Sequence, residues 1–338
     1  MPISQRQSNL ELLRIVAMLA VVGVHLDGAS LGLPLDSQPD YDNRDIWRLI
    51  VEALTIVGVN CFTLISGFFG IKASWHSFSR FTGQCLFYSV AIVSIVMIID
   101  GIWQWNQWVT AWLVFTHSDL WYVPAYLGLW LLSPFLNAGA ELLSKKQLLC
   151  FVAAFASFNI YAGWLNNGHF NPTGYTILHL IMMYLIGRYI GKHINMQSRY
   201  RKAVCLIATI IYLITTAVIA YMATIIPSRL AFAYNSPAVV VASVALFVAF
   251  ASLHFHSKVI NRLAASAFAV YLIHKNPYIW VRLIKPTALN AWQNMDLWQF
   301  SAMFVVACIC IYVFAALIDS LRCSLFKLFT NKLKKQAK

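Results

Sequence analysis

Stretches of about twenty predominantly apolar residues recur along the whole chain, separated by short segments where Lys, Arg, Asp, Asn, Gly and Pro collect. Such a run satisfies all its backbone groups internally when helical, which is what a membrane crossing requires. The pattern predicts ten helical spans, approximately residues 9–27, 47–70, 80–102, 119–137, 148–166, 174–192, 203–226, 235–254, 263–284 and 298–320. The expected fold is an all-α, polytopic integral membrane helix bundle. It forms one domain over 1–338, with a short basic tail from about residue 321. A cleaved leader ending near Ala29–Ser30 is the competing reading of the first run. The weakly basic start, and Glu11 and Arg14 inside the run, favour a retained span.

Composition agrees. Hydrophobic residues are 60% of the 338 and charged residues 11%, against about a quarter charged in soluble domains. The net charge of +13 raises nucleic-acid binding, but the cations sit between and after the apolar runs. With the N-terminus inside, the inner segments hold Arg6, Lys72, Arg80, Lys145, Lys146, Arg188, Lys192, Arg199, Arg201, Lys202, Lys258 and Arg262, and the tail adds six more. The outer segments hold Arg44, Arg48, Arg229, Arg282 and Lys285 beside the acidic Asp36, Asp40, Asp42 and Asp45. This bias is what the positive-inside rule demands, so both termini are expected in the cytoplasm and no nucleic-acid partner is required. The seven cysteines show neither CxxC pairs nor metal-ligand spacing and are read as structural thiols, with no metal expected.

Ionisable residues inside apolar runs are expensive, about 2.5–3.5 kcal/mol at mid-bilayer, and mark functional candidates. Arg14 and His25 lie eleven residues apart in the first run. Eleven helical steps leave them within about 20° on one face and about 16 Å apart along the axis, joined by Met18, Val21 and Val22. The plain alternative is an arginine snorkelling to the inner headgroups and an interfacial histidine. Glu11 is an i,i+3 partner for Arg14. Glu52, His117, Asp119, His179 and His274 all fall at the outer depth of His25. Singly each histidine is a structural residue; together they suggest one polar cavity, with Glu52 or Asp119 orienting an imidazole. Lys72 and Arg80 mark the inner mouth. Trp103, Trp105, Trp108 and Trp112 read as an interfacial belt, with a sugar-stacking platform as the alternative, and Trp121 and Tyr122 are the exceptions expected to meet substrate.

Four stretches resemble the bacterial acyltransferase-3 membrane proteins: Asn9–Ala17 continuing to His25, a basic residue followed after ten others by histidine; Phe62–Phe69 with its serine–glycine pair; Leu120–Pro134; and Val270–His274. They occur in order over nearly the whole chain. The resemblance implies transfer of an acyl group, usually acetyl, from cytoplasmic acyl-CoA to a hydroxyl of a surface glycan or its lipid-linked precursor, in the inner membrane. This short chain is similar to the O-acetyltransferases of enterobacterial common antigen and O-antigen. It makes His25 the essential histidine and Arg14 its basic partner, and it brings Ser66, Tyr271 and His274 into the site. Many members carry two arginines three apart after the second span; here Arg80 stands without a second, so cofactor binding rests on Arg80 with Lys72 or Arg14.

A positioned histidine base suits a sugar hydroxyl, since its ordinary pKa is about 6.5. His25 is expected to take the hydroxyl proton as oxygen attacks the thioester, with an acyl-histidine relay as the other route. The rival function is a transporter or flippase for a polar substrate, in which the outer polar cluster is a path.

Overall fold

The computed structural model describes residues 6–33, 41–116, 120–166, 170–196 and 198–336, with side chains as far as Lys327. Among them every element is helical and no strand is present. In chain order the elements are α1 (Ser8–Val24, continued by a π turn His25–Ala29), α2 (Asn43–Thr55), α3 (Gly58–Phe69), α4 (Trp75–Asp100), α5 (Trp105–Trp112) and α6 (Tyr122–Leu142). There follow α7 (Lys145–Ile160, continued by a π turn Tyr161–Leu165), a 3₁₀ turn Pro172–Gly174, α8 (Ile177–His193), α9 (Arg201–Met222), α10 (Ser228–Ala231) and α11 (Pro237–Ala251). The chain ends with α12 (Lys258–Ala264), α13 (Ala267–His274), α14 (Pro277–Ile279, continued by a π turn Trp280–Ile284), α15 (Lys285–Asn294) and α16 (Leu297–Gln336).

Local chemistry sets the helix starts and ends. Ser74 and Ser144 each form a reciprocal capping box with the residue three positions on, and Asp42 caps the amides of Arg44 and Asp45. Gly101, at φ 67°, ends α4 in the left-handed conformation.

Helix occupies all ten predicted stretches, but not as ten uniform rods. Among the described residues six segments are long and apolar enough to cross a membrane: Ser8–Ala29, Asn43–Phe69, Trp75–Asp100, Lys145–Leu165, Arg201–Met222 and Leu297–Lys327. Pro237–Ala251 is a shorter apolar helix. The stretch expected to span at 263–284 is instead broken twice, at Ala265–Ser266 and at Lys275–Asn276. Pro277 has no amide to continue the ladder, and Asn276 caps Tyr278 in its place. The final helix runs through residue 321, where a tail was expected, to Gln336.

Burial separates inner from outer helices. In the Asn43–Phe69 segment 67% of the apolar window is buried, and in Arg201–Met222 only 17%. The outer helices present Ile98, Leu206 and Phe314 outward, as lipid-facing surfaces do. At the centre, α1 packs against α2, α3, α11, α12, α13 and α16. Beside it α3 and α8 approach so closely that only glycine fits. A Cβ on Gly67 would lie 2.1 Å from the Tyr184 carbonyl oxygen, and one on Gly187 would lie 2.4 Å from that of Leu64. Small residues at such a seam let two backbones meet and carry much of helix association in lipid. Gly187→Leu is therefore expected to separate α3 from α8 and to lower the thermal midpoint of detergent-purified protein by several degrees or abolish its folding; an unchanged melting curve would show that the seam tolerates bulk.

Candidate functional site

The site grows from the C-terminal end of α1. After Val24 the helix widens into the π turn His25–Ala29, a distortion that often marks functional positions. Three contacts hold it. Ser30 Oγ donates to the His25 carbonyl at 2.7 Å, and Arg48 Nε donates to Asp27 Oδ1 at 2.6 Å. The Glu52 carboxylate lies against Gly28, where a Cβ would fall 2.8 Å from its Oε1.

The turn aims the His25 ring at α13. His25 Nδ1 lies 2.8 Å from His274 Nε2, and His274 Nδ1 lies 2.6 Å from the Val270 carbonyl oxygen. A carbonyl only accepts, so His274 carries its proton on Nδ1 and presents a lone pair at Nε2. His25 Nδ1 must then donate, which leaves His25 Nε2 as the acceptor nitrogen. Trp280 packs edge-on to the His25 ring, with centroids 5.7 Å apart, and Tyr271 stacks at 6.5 Å.

A cavity of ≈ 700 Å³ joins this ring to the other end of α1. Arg14, Met18, Val21 and His25 form one wall, the stripe expected from helical spacing; Val22 turns away into the core. Ser66, Lys72, Arg80, Trp121, Tyr122 and Tyr271 also line it. The mouth combines the start of α1, the end of α3 and the first turns of α4, bringing Arg6 and His76 beside Lys72 and Arg80. Arg14 pairs with Glu11 at 2.5 Å, and Arg6 reaches the same carboxylate at 3.4 Å. The described residues lining the cavity include four Arg or Lys and no Asp or Glu. That field suits an anionic ligand whose charged end stays at the mouth. Among the described residues no group of three His, Cys, Asp or Glu is placed to hold a metal.

Several expected site residues stand behind the cavity surface. His274 does not line it but packs against His25 and Tyr271, which do. His179 is fully buried, with Nε2 2.7 Å from Asn60 Oδ1; Asn60 in turn donates to the carbonyl of Tyr234, which does line the cavity. Glu52 is buried against Gly28 and makes no contact with the His25 ring, so the partner of that imidazole is a second histidine where an acid was expected. His117 and Asp119 lie outside the described residues. Trp121 and Tyr122 meet the cavity, whereas Trp105 is 68% exposed and belongs to the outer surface of the bundle.

Other residues carried no signal in the sequence. Arg48, counted among outer-loop cations, is buried and also donates to the Gly32 carbonyl. Its partner Asp27 stands two residues after His25, a spacing that means nothing until the π turn is known. Tyr234, which completes the aromatic wall with Tyr126, lies in a run where any apolar residue would read the same, and Tyr126 sits unremarked inside the Leu120–Pro134 stretch.

With the geometry in hand, comparison with known families gives one match. Residues 7–316 match the family described as an acyltransferase domain. No curated protein and no solved structure matches the chain.

The buried Asp27–Arg48 pair generates a stability prediction. Arg48→Met leaves an uncompensated carboxylate beside the π turn and should cost about 3–5 kcal/mol, read by denaturant unfolding in micelles. Asp27→Asn combined with Arg48→Met should recover part of the loss; equal loss in both variants would mean that the ion pair is not its source.

Proposed function

The chain belongs to acyltransferase family 3, and we propose that it moves an acetyl group from cytoplasmic acetyl-CoA to a hydroxyl of a surface glycan or its lipid-linked precursor, with His25 as general base. The proposed setting is the bacterial inner membrane, with both termini cytoplasmic. The observation that carries the reading is the continuous cavity running from Arg14 at a cationic mouth to the His25 ring.

A thin, phosphate-bearing thioester fits that shape. Its phosphates meet Lys72, Arg80 and Arg6, the pantetheine arm passes Arg14, Ser66 and the Val21 wall, and the thioester reaches the imidazole. The sugar hydroxyl oxygen then attacks the thioester carbonyl carbon while its proton passes to His25 Nε2. The carbon–sulfur bond breaks, the electron pair leaves with sulfur, and the imidazolium returns the proton to the thiolate. The imidazolium that forms midway keeps its Nδ1 proton shared with His274. A general base of this kind contributes about 10²–10⁴ in rate.

One observation favours the rival class. Discontinuous helices such as α12–α13–α14 are a device of transporters. Transfer of label from [¹⁴C]acetyl-CoA to the glycan fraction of membranes separates the two, since a transporter transfers none.

His25→Ala should abolish this transfer while leaving protein level and membrane insertion intact, and normal transfer in that variant ends the assignment. Arg14→Ala should raise the KM for acetyl-CoA several-fold; an unaltered donor dependence contradicts its role.

A further inference from the structure

A second cavity, of ≈ 470 Å³, lies toward the opposite end of α4 from Lys72 and Arg80. Clefts of this size hold small ligands. Its polar lining comes from Ser89 on α4, whose hydroxyl donates to the Ala111 carbonyl, Asn106, Gln107 and Thr110 on α5, Asn276 and Tyr278 after α13, and Arg282. The short helix α5 is two-faced. Asn106, Gln107 and Thr110 turn into the cavity, while Trp105 and Trp112 are exposed on the other side, where indoles settle at a membrane–water interface.

The lining chemistry selects a ligand class. The Tyr278 hydroxyl donates to Gln107 Oε1 at 2.5 Å, and Asn276 Oδ1 accepts from the Tyr278 amide at 3.1 Å. Both carboxamides therefore keep their NH₂ groups for a ligand. The formal charges at the rim cancel, because Arg282 makes two 2.7 Å bonds to the Asp100 carboxylate. Uncharged donors and acceptors beside aromatic and aliphatic walls suit a neutral, polyhydroxylated ring.

This cavity shares a thin wall with the first. Leu120 faces it while Trp121 faces the first cavity. Asn276 lines it, and two residues earlier His274 holds the His25 ring. Val281 and Arg282 line it, and the adjacent Trp280 packs on that same ring. The two breaks in the ninth stretch divide between the cavities: Ala264, Ala265 and Ala267 line the first, and Asn276, Pro277 and Tyr278 the second. Non-helical backbone inside a membrane protein persists where it borders a cavity. Thus α13 is a short rod set between two chambers.

We propose that the second cavity is an acceptor subsite that binds an uncharged sugar residue next to the one acetylated, while the reacting hydroxyl meets the thioester at His25 in the first cavity. This rests on the acyl-transfer reading. None of the residues that define the subsite belongs to the donor cavity or to the histidine pair.

The test uses the full chain. In membranes, Thr110→Trp fills the cavity and should reduce acetyl transfer to glycan at least tenfold, with acetyl-CoA affinity within twofold of wild type. Gln107→Ala, which removes one side chain without adding bulk, should raise the acceptor KM several-fold and leave the donor KM unchanged. Protein purified in a non-glycosidic detergent should show saturable tryptophan quenching by maltose or N,N′-diacetylchitobiose, but not by glucose 6-phosphate, and Thr110→Trp should remove it. Wild-type transfer in Thr110→Trp, or donor affinity lost together with transfer in both variants, overturns the subsite. Should wild type transfer no acetyl at all, the acyl-transfer reading falls and the sugar titration alone decides: saturable quenching lost in Thr110→Trp keeps a sugar site, and its absence in wild type removes it.

Discussion

The hydrogen bond between His25 and His274 joins residues 249 positions apart and ties α1, at the centre of the bundle, to the short buried rod α13. Its direction is imposed by the Val270 carbonyl, which accepts only and so fixes both imidazoles in turn. Around that bond the rest of the site is arranged. The π turn swings His25 toward α13, Trp280 and Tyr271 close on its ring, and the aromatic wall of α6 faces it across the cavity. An imidazole oriented by another imidazole needs no carboxylate beside it at this end of a cavity whose described lining carries four cations.

Charge is distributed to match. The cations at the mouth are either set at the cavity surface or paired with Glu11 on its edge. The acids nearest His25 in sequence and depth, Asp27 and Glu52, are turned away from the ring and spent on the backbone of the π turn and on Arg48. A buried ion pair gives little net stability but is costly to break. Here it clamps an irregular turn that the helix ladder alone would not hold.

Much of the fold was legible in the residues. Apolar runs placed helix at all ten stretches, and the eleven-residue step from Arg14 to His25 put both on one cavity wall with Met18 and Val21. Hydropathy averages over a window, however, and 263–284 remains apolar across both of its breaks. Nothing in that average registers that Pro277 ends a ladder, or that Ala264 and Ala267 are small because a chamber lies beside them. Arg48 reads as a loop cation because a charge count is blind to a partner 21 residues away.

The residues by themselves determined the all-helical, membrane-embedded character and the polar stripe of α1, because helical periodicity and the cost of open backbone in hydrocarbon act within one segment. Tertiary structure alone decided that His274, and not Glu52, meets His25, that His179 turns to Asn60, and that two cavities flank α13. Depth along the membrane can be counted from sequence, but rotation about a helix axis is set by what packs beside it. That is why residues at one depth divided between the chamber, the wall behind it and the core.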